Sequence, residues 1–269
     1  MARAVAEGHI LDMRLNFEEA RLDAAGIISS QACDTNVVRR KSIQATPLLL
    51  LQRKSAFIVQ RIQRMLLAYR EQQTQNKARQ NVVFSPKAML VARSRVDVVT
   101  YHALLRKCDP SLRLHASFSG TVDARVSGGA TSAPQLVAVS EATLNGTSTQ
   151  LELLQSRAEA HLIITCNKLE TGYDDPALCI LFIDRALRSA SHTVQTLGRI
   201  NRVAPGKVTT CGMFGCIDFV NSRARIMEAV ARYWDGTDSR PLTAGNDNVS
   251  DSASAADSDI VNDCEEGND

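Results

Sequence analysis

Short apolar runs and longer amphipathic stretches alternate along most of this chain. The apolar runs are rich in β-branched residues and end in polar residues, as buried parallel strands do where they lead into a loop. They cover residues 87–92, 112–119, 161–167, 178–184 and 208–220. Apolar residues recur at helical spacing around 52–75, 98–105, 150–158, 191–202 and 221–234. Strands alternating with helices predict an α/β fold with a mainly parallel sheet and helices on both faces.

The loop between two of the predicted strands, residues 168–176, combines groups that suit a ligand site. It contains the hydroxyl of Thr171, the flexible backbone of Gly172 and the carboxylates of Asp174 and Asp175. Open α/β sheets bind ligands at the carboxyl ends of their strands. We therefore expect this loop to contact a ligand.

The helix predicted after the second of these strands has Ser191 as its N-cap and continues to Arg202. Residues three and four apart share a helix face, so Gln195, Arg199 and Arg202 are expected to point the same way. Two guanidinium groups on one face suit a polyphosphate. Alone they also fit a solvated basic face, but the nearby Thr-Gly-x-Asp loop favours phosphate.

Another strand, polar turn and helix unit begins at residue 87. Ser94 is the predicted N-cap of its helix and Arg95 follows it. Free N–H groups at a helix N-terminus attract anions. The pattern leaves two roles open for Ser94, as a phosphate contact or as a helix cap only.

Two of these segments carry a family resemblance. LETGYDDP and QTLGRINR resemble motifs V and VI of superfamily two helicases, and in particular the motor part of the restriction subunit of type I restriction-modification enzymes. Further similar segments, in the family's order, are EGHILD, KAMLVARSR, HASFSGTV and CIDFVN. The resemblance extends from about residue 4 to residue 235.

The resemblance implies a fold and a division of the chain. Residues 81–236 are expected to form the second RecA-like domain of a helicase motor, which would include a flexible insertion at 123–149. Residues 1–80 would be a helical lead-in that follows a first motor domain missing from this chain. The acidic, Ser- and Asp-rich residues 237–269 are expected to be disordered.

The resemblance also implies roles for individual residues. Arginine fingers stabilise the charge that develops on a transferred γ-phosphate, and here they would be Arg199 and Arg202, with Gln195 helping to position the phosphate. ATP with Mg²⁺ would be shared with the first motor domain. The residues facing ATP would be Gly172 and Asp174, and those contacting the DNA backbone would be Ser94, Arg95 and Thr171.

Composition and charge add limits. The apolar fraction of 44% is ordinary for a globular core, and the net charge of +2 combines a strongly acidic tail after residue 236 with a basic remainder. A basic body is compatible with duplex DNA. No apolar run is long enough for a membrane span and no signal peptide is evident, which predicts a cytoplasmic protein without a membrane partner. Seven cysteines without a repeated short spacing suit a reducing compartment and predict no metal site.

These inferences converge on half of an ATP-dependent DNA translocase in a type I restriction enzyme. Its expected partners are duplex DNA, the first RecA-like motor domain, and the modification and specificity subunits. The phosphate-loop pattern G-x-x-x-x-G-K-[ST] and the carboxylates of a nuclease site are not found in the sequence, so the chain is expected to be inactive alone. Two alternatives stay open: a non-catalytic module that binds nucleic acid or protein, and a gene fragment without function.

Overall fold

The computed structural model of the chain describes residues 2–7, 11–12, 17–22, 28–32, 46–75, 85–126, 135–170, 172–187, 189–204, 207 and 214–234. Its helices are α1 Ala2–Ala6, α2 Pro47–Gln75, α3 Arg95–Cys108, α4 Glu141–Asn145, α5 Gln150–Glu159, α6 Ala190–Leu197 and α7 Arg223–Trp234. Its strands are β1 Phe17–Leu22, β2 Ile28–Ala32, β3 Lys87–Val91, β4 Leu114–Ser117, β5 Thr121–Val126, β6 Gln135–Ser140, β7 Leu162–Thr165, β8 Leu178–Ile183 and β9 Gly215–Asp218.

Seven of the strands form one sheet in the order β2-β1-β9-β8-β3-β7-β4. The six strands β1, β9, β8, β3, β7 and β4 are each parallel to their neighbours in this series. The remaining strand, β2, is an antiparallel edge strand on β1. The predicted mainly parallel α/β sheet is therefore confirmed, and it is compatible with a RecA-like domain.

Both faces of the central strand β3 are buried, because its alternate residues pack into two apolar clusters. Ala88 and Leu90 belong to a cluster with α2 and α3, whereas Met89 and Val91 belong to a cluster with α6 and α7. All four side chains have no exposed surface. Complete burial of a Leu or Met side chain contributes about 1.5–3 kcal/mol, which explains the continuous apolar runs of the central strands.

A buried ion pair connects the first cluster to the sheet. Asp184, directly after β8, pairs with Lys54 of α2 and accepts a hydrogen bond from Tyr101 Oη of α3 at 2.6 Å. The side chains of Lys54 and Asp184 are 9% and 6% exposed. Burial and the neighbouring Asp184 charge raise the pKa of Tyr101, so its hydroxyl stays a donor. These contacts hold α2 and α3 against the carboxyl end of β8.

The described part of the expected lead-in, residues 1–80, is built into this domain. β1 extends the sheet from β9, and its residues Phe17 and Ala20 are buried in the two clusters. Helix α2 contributes Ile58, Ile62 and Met65 to the same core as α3. The sequence predicts the long amphipathic helix α2, but it does not predict the strands β1 and β2.

Within the predicted flexible insertion at 123–149, the described residues form regular secondary structure. β5 and β6 form an antiparallel hairpin, and α4 follows with Ser140 as its N-cap. Val122 and Val139 face each other across the strands and are both buried, whereas Val137 is exposed.

Other predictions fall partly or wholly outside the described residues. Of the predicted strand at 208–220, the structure describes β9 and not residues 208–213. The predicted disordered tail, 237–269, also lies outside them. Cys166, Cys179 and Cys216 are buried free thiols.

A buried histidine of α3 generates a prediction on stability. Burial, with the charges of Arg106 and His115, lowers the pKa of His102 to about 4, compared with about 6.5 in an unfolded chain. Between these values the unfolded state binds the proton and the folded state does not, so stability falls as pH falls. We expect the free energy of unfolding to lose about 3 kcal/mol to this residue between pH 7 and pH 4.

Urea unfolding of the wild type and His102→Leu at a series of pH values measures this loss. The variant should show a smaller decrease at acid pH. Equal decreases in the two proteins would contradict the assignment to His102.

Candidate functional site

The loop from Cys166 to Ala177 joins the carboxyl end of β7 to the amino end of β8 and contains most of the predicted ligand residues. Gly172 has a positive φ of 74° and open space where a side chain would begin. This left-handed conformation is unstrained for glycine and strained for other residues. The loop therefore presents exposed backbone at Gly172, in a turn that needs a positive φ.

The two consecutive aspartates of the loop have different environments. Asp174 is exposed, whereas Asp175 is partly buried and pairs with Lys87 Nζ at the start of β3 over 2.7 Å. Asp175 also accepts hydrogen bonds from Tyr173 Oη and Ala177 N, each at 2.9 Å. Burial acts to raise the pKa of Asp175, but Lys87 and these bonds outweigh it and lower that pKa below its usual value. Asp175 is thus a structural contact, and Asp174 is accessible to a ligand.

Helix α6 differs from the prediction at both ends. Its N-cap is Ser189, whose Oγ accepts from His192 N, rather than Ser191. The helix ends at Leu197, where the weak helix former Gly198 caps it. The following bonds, such as Arg199 N to Thr196 O, close a tighter turn. The inference that Gln195, Arg199 and Arg202 share one helix face is therefore wrong, because both arginines lie beyond the helix.

Arg199 nevertheless reaches the loop. Its Nε donates to Glu170 O at 3.2 Å and its Nη1 to Tyr173 O at 2.5 Å. Burial, and then the charge of Arg202, lower the pKa of Arg199, while Asp174 acts in the opposite direction. The guanidinium thus fixes the backbone on both sides of Gly172.

Arg202 is more accessible. Its Nη1 lies 2.7 Å from Asp174 Oδ2, in an ion pair whose side chains are 44% and 53% exposed. Gln195 is exposed on α6. The structure therefore brings Gly172, Asp174, Arg199 and Arg202 together, and it leaves Gln195 on the helix before them.

A second group of predicted residues lies at the carboxyl edge of the sheet. Ser94 caps α3 by accepting from Asp97 N at 3.1 Å, which confirms the predicted N-cap. The exposed Arg95 donates to Ser119 O, in the loop after β4, at 3.1 Å. Thr171, the third residue assigned to DNA, lies outside the described residues.

Glu170 was not singled out from the sequence, although its carbonyl oxygen bonds to Arg199 and its buried side chain has charged partners. Its carboxylate has no exposed surface and lies 2.7 Å from Arg185 Nη2 and 3.1 Å from His192 Nε2. It also accepts from Asn167 N at 2.5 Å. A buried carboxylate is stable only with such partners. No local pattern signals this burial, because Arg185 and His192 come from a later strand end and helix.

The far end of the loop is held by a buried cation. Lys207 Nζ donates to Pro176 O at 3.1 Å, and burial lowers the pKa of Lys207 to about 8. Burial also raises the pKa of the nearby Cys179 to about 12, so that thiol is protonated at neutral pH.

The described residues contain neither a metal-binding cluster nor a helix able to span a membrane. No group of three or more His, Cys, Asp or Glu side chains is arranged to hold a metal ion in this part of the chain. None of the described helices combines the length and the apolar character needed to cross a membrane.

Comparison with known proteins relates this region to a restriction enzyme subunit. Residues 139–216 match the family model described as Type I restriction enzyme subunit R domain 3. The matched range, under a third of the chain, contains the loop, α6, Arg199 and Arg202. It supports a relationship between this part of the chain and the R subunit of type I restriction enzymes. No protein of curated function matches the chain.

One similar solved structure is the ATP-dependent Type ISP restriction-modification enzyme LlaBIII bound to DNA. The identity is 17% and the TM-score 0.28, over 49% of this chain and 8% of that chain. The aligned part is a small fraction of that enzyme, and at this TM-score the likeness says nothing about function.

The contacts of the two arginines predict different stabilities for their variants. Arg199→Ala removes two charged hydrogen bonds to backbone carbonyls, and we expect it to lower the free energy of unfolding by about 2–3 kcal/mol. Arg202→Ala removes an exposed ion pair, which is worth less than about 1 kcal/mol. Denaturant unfolding of both variants measures the difference, and hydrogen exchange of the loop amides should increase only in Arg199→Ala. Equal losses of stability would contradict this assignment.

Proposed function

We propose that this chain supplies the second RecA-like half of an ATP-dependent DNA translocase of the type I restriction enzyme class. The observation that carries the proposal is the cluster of Gly172, Asp174, Arg199 and Arg202 within the range matched by the R-subunit family model. A loop carboxylate and two arginines next to an exposed glycine backbone suit a nucleotide's phosphates.

The two arginines would have different tasks. Arg202 is the arginine finger, since its exposed guanidinium has one exposed carboxylate, Asp174, as its ion-pair partner. A γ-phosphate competes with Asp174 for this cation. Arg199 is already bonded to Glu170 O and Tyr173 O, so it fixes the loop and adds positive charge nearby. Gln195, exposed on α6, would help to position the phosphate.

The chain would act together with a second protein or domain. The sequence has no phosphate-loop pattern, so the phosphate loop and the Mg²⁺ ligands would belong to the first RecA-like motor domain. ATP would then bind between the two halves. Opening and closing of that cleft would move duplex DNA, a hinge motion known in other motors. The modification and specificity subunits would select the DNA.

The carboxyl edge of the sheet would contact the DNA backbone. Ser94 lies at the N-terminus of α3, and the described partner of Arg95 is a backbone carbonyl and not a carboxylate. Both groups suit a phosphate oxygen. Thr171 completes the proposed set.

A second candidate function is a non-catalytic module that binds nucleic acid or a partner protein. The bonds of Arg199 to two backbone carbonyls favour it, because they give this arginine a structural role without nucleotide. The two candidates differ in whether Arg202 affects ATP turnover.

ATP hydrolysis distinguishes these functions. The full chain is mixed with a separately expressed first motor domain from the same genome, with and without duplex DNA. We expect turnover that DNA stimulates in the mixture, none from this chain alone, and a loss of about 10³-fold or more in Arg202→Ala. Arg232→Ala is the control, since Arg232 is an exposed arginine of α7 that pairs with Glu228.

Two results would contradict the proposal. Clear hydrolysis by the chain alone would contradict the shared site. If the mixture is folded and associated but does not hydrolyse ATP, the non-catalytic binding module would be the remaining function.

DNA binding tests the carboxyl edge separately. Arg95→Gln should weaken binding of duplex DNA by the mixture at low salt and reduce the slope of log K against log salt by about 1, as loss of one phosphate contact does. Arg106→Gln, near the other end of α3, is the matched control because Arg106 is also exposed. Identical salt slopes in the two variants would remove Arg95 from the interface.

A further inference from the structure

Glu170 is the starting point, because its side chain and its backbone bond to different parts of the site. Its carboxylate contacts Arg185 and His192 and accepts from Asn167 N. Its carbonyl oxygen accepts from Arg199 Nε. One residue thus connects the end of β8 with the arginines that follow α6.

The side-chain partners of Glu170 belong to the carboxyl edge. Asn167 lies in the turn after β7 with a positive φ of 66°, and Arg185 follows β8 by two residues. Arg185 also donates to Asn167 Oδ1. The Arg185 side chain is 17% exposed, compared with 0% for Glu170. A group that arrives at this edge can therefore compete for Arg185 while Glu170 stays buried.

The backbone partners belong to the other group. Arg199 bonds to the carbonyls of Glu170 and Tyr173, so its position is determined by the same backbone that carries the buried carboxylate. Tyr173 directly precedes Asp174, which pairs with Arg202. A shift of the Glu170 backbone moves the Glu170 and Tyr173 carbonyls that accept from Arg199, or changes the spacing between them. Because Tyr173 precedes Asp174, the shift also changes the geometry of the Asp174–Arg202 ion pair.

We propose that Glu170 is a positioning residue that couples the carboxyl edge to the arginine pair. Phosphate groups of nucleic acid that draw Arg185 towards the edge weaken its contact with Glu170. The loop then moves Arg199 and the Asp174–Arg202 ion pair into the arrangement that binds nucleotide. This inference rests on the proposed function and adds the route between its two ligands.

Coupling between two ligands is reciprocal, so it can be measured by binding alone. The full chain mixed with the first motor domain is titrated with a labelled duplex DNA, with and without a non-hydrolysable ATP analogue. We expect the analogue to change the DNA Kd by about fivefold or more in the wild type. In Glu170→Gln the ratio should fall to about 1. DNA binding without nucleotide should be at least as tight as in the wild type, because Arg185 has lost its carboxylate partner.

Three variants distinguish a loss of coupling from a general loss of structure or binding. Glu228→Gln removes an exposed carboxylate on α7, and it should keep the wild-type ratio. Glu170→Asp retains the charge and should restore part of the ratio. If Glu170→Gln fails to fold, His192→Gln removes one partner at a site whose side chain is 25% exposed, and it should reduce the ratio partly.

The possible outcomes distinguish a failure of the role of Glu170 from a failure of the proposed function. A wild-type mixture with no nucleotide effect on DNA binding and no ATP turnover overturns the proposed function, and this inference with it. A wild-type ratio that Glu170→Gln and His192→Gln both keep in full overturns the role of Glu170 alone. A Glu170→Gln variant that is folded but weakens DNA binding equally with and without nucleotide also overturns it, because that is loss of affinity without loss of coupling.

Discussion

The arrangement of this domain depends on the buried ion pair between Lys54 and Asp184. The pair joins a helix from early in the chain to the end of a central strand, and Tyr101 adds a third element through the same carboxylate. Phe219 lies beside Lys54, with the ammonium 5.4 Å from the ring centroid. Removal of one partner of such a pair typically costs about 3–5 kcal/mol, because the other charge stays buried without compensation. Loss of either charge alone would therefore destabilise the packing of α2 and α3 on the sheet.

Buried or partly buried carboxylates recur along the same edge of the sheet, and each has donors of its own. Asp218 ends β9 and accepts from Val220 N and Ser222 N, and burial raises its pKa. Glu141 accepts from Ser117 Oγ and pairs with Lys168. The pair with Glu141 neutralises Lys168, a cation that the basic composition would otherwise offer to DNA. The charge available for phosphates is therefore smaller than the sequence suggests, and it is concentrated at residues such as Arg95.

The sequence predicted the elements whose signals are local. β3, β7, β8 and the N-cap at Ser94 follow from apolar runs and a capping side chain within a few residues. The end of α6 was missed because the helical spacing of Gln195, Arg199 and Arg202 continues past Gly198, where the backbone closes a tighter turn. The sequence indicated which residues belong to the candidate site, but it did not predict how they are arranged. Burial of Glu170 depends on Arg185 and His192, and only the folded sheet brings them to it.

The parallel pairing of β1 with β9 has a consequence for biosynthesis. The two strands come from opposite ends of the described chain, so β1 emerges from the ribosome long before its neighbour in the sheet. Until β9 is made, one edge of the β1–β2 hairpin has no strand to pair with, and such edges promote association between chains. Contacts of this sequence separation also slow folding. This sheet is thus completed only after β9 has been made, and chaperone protection would matter most during that interval.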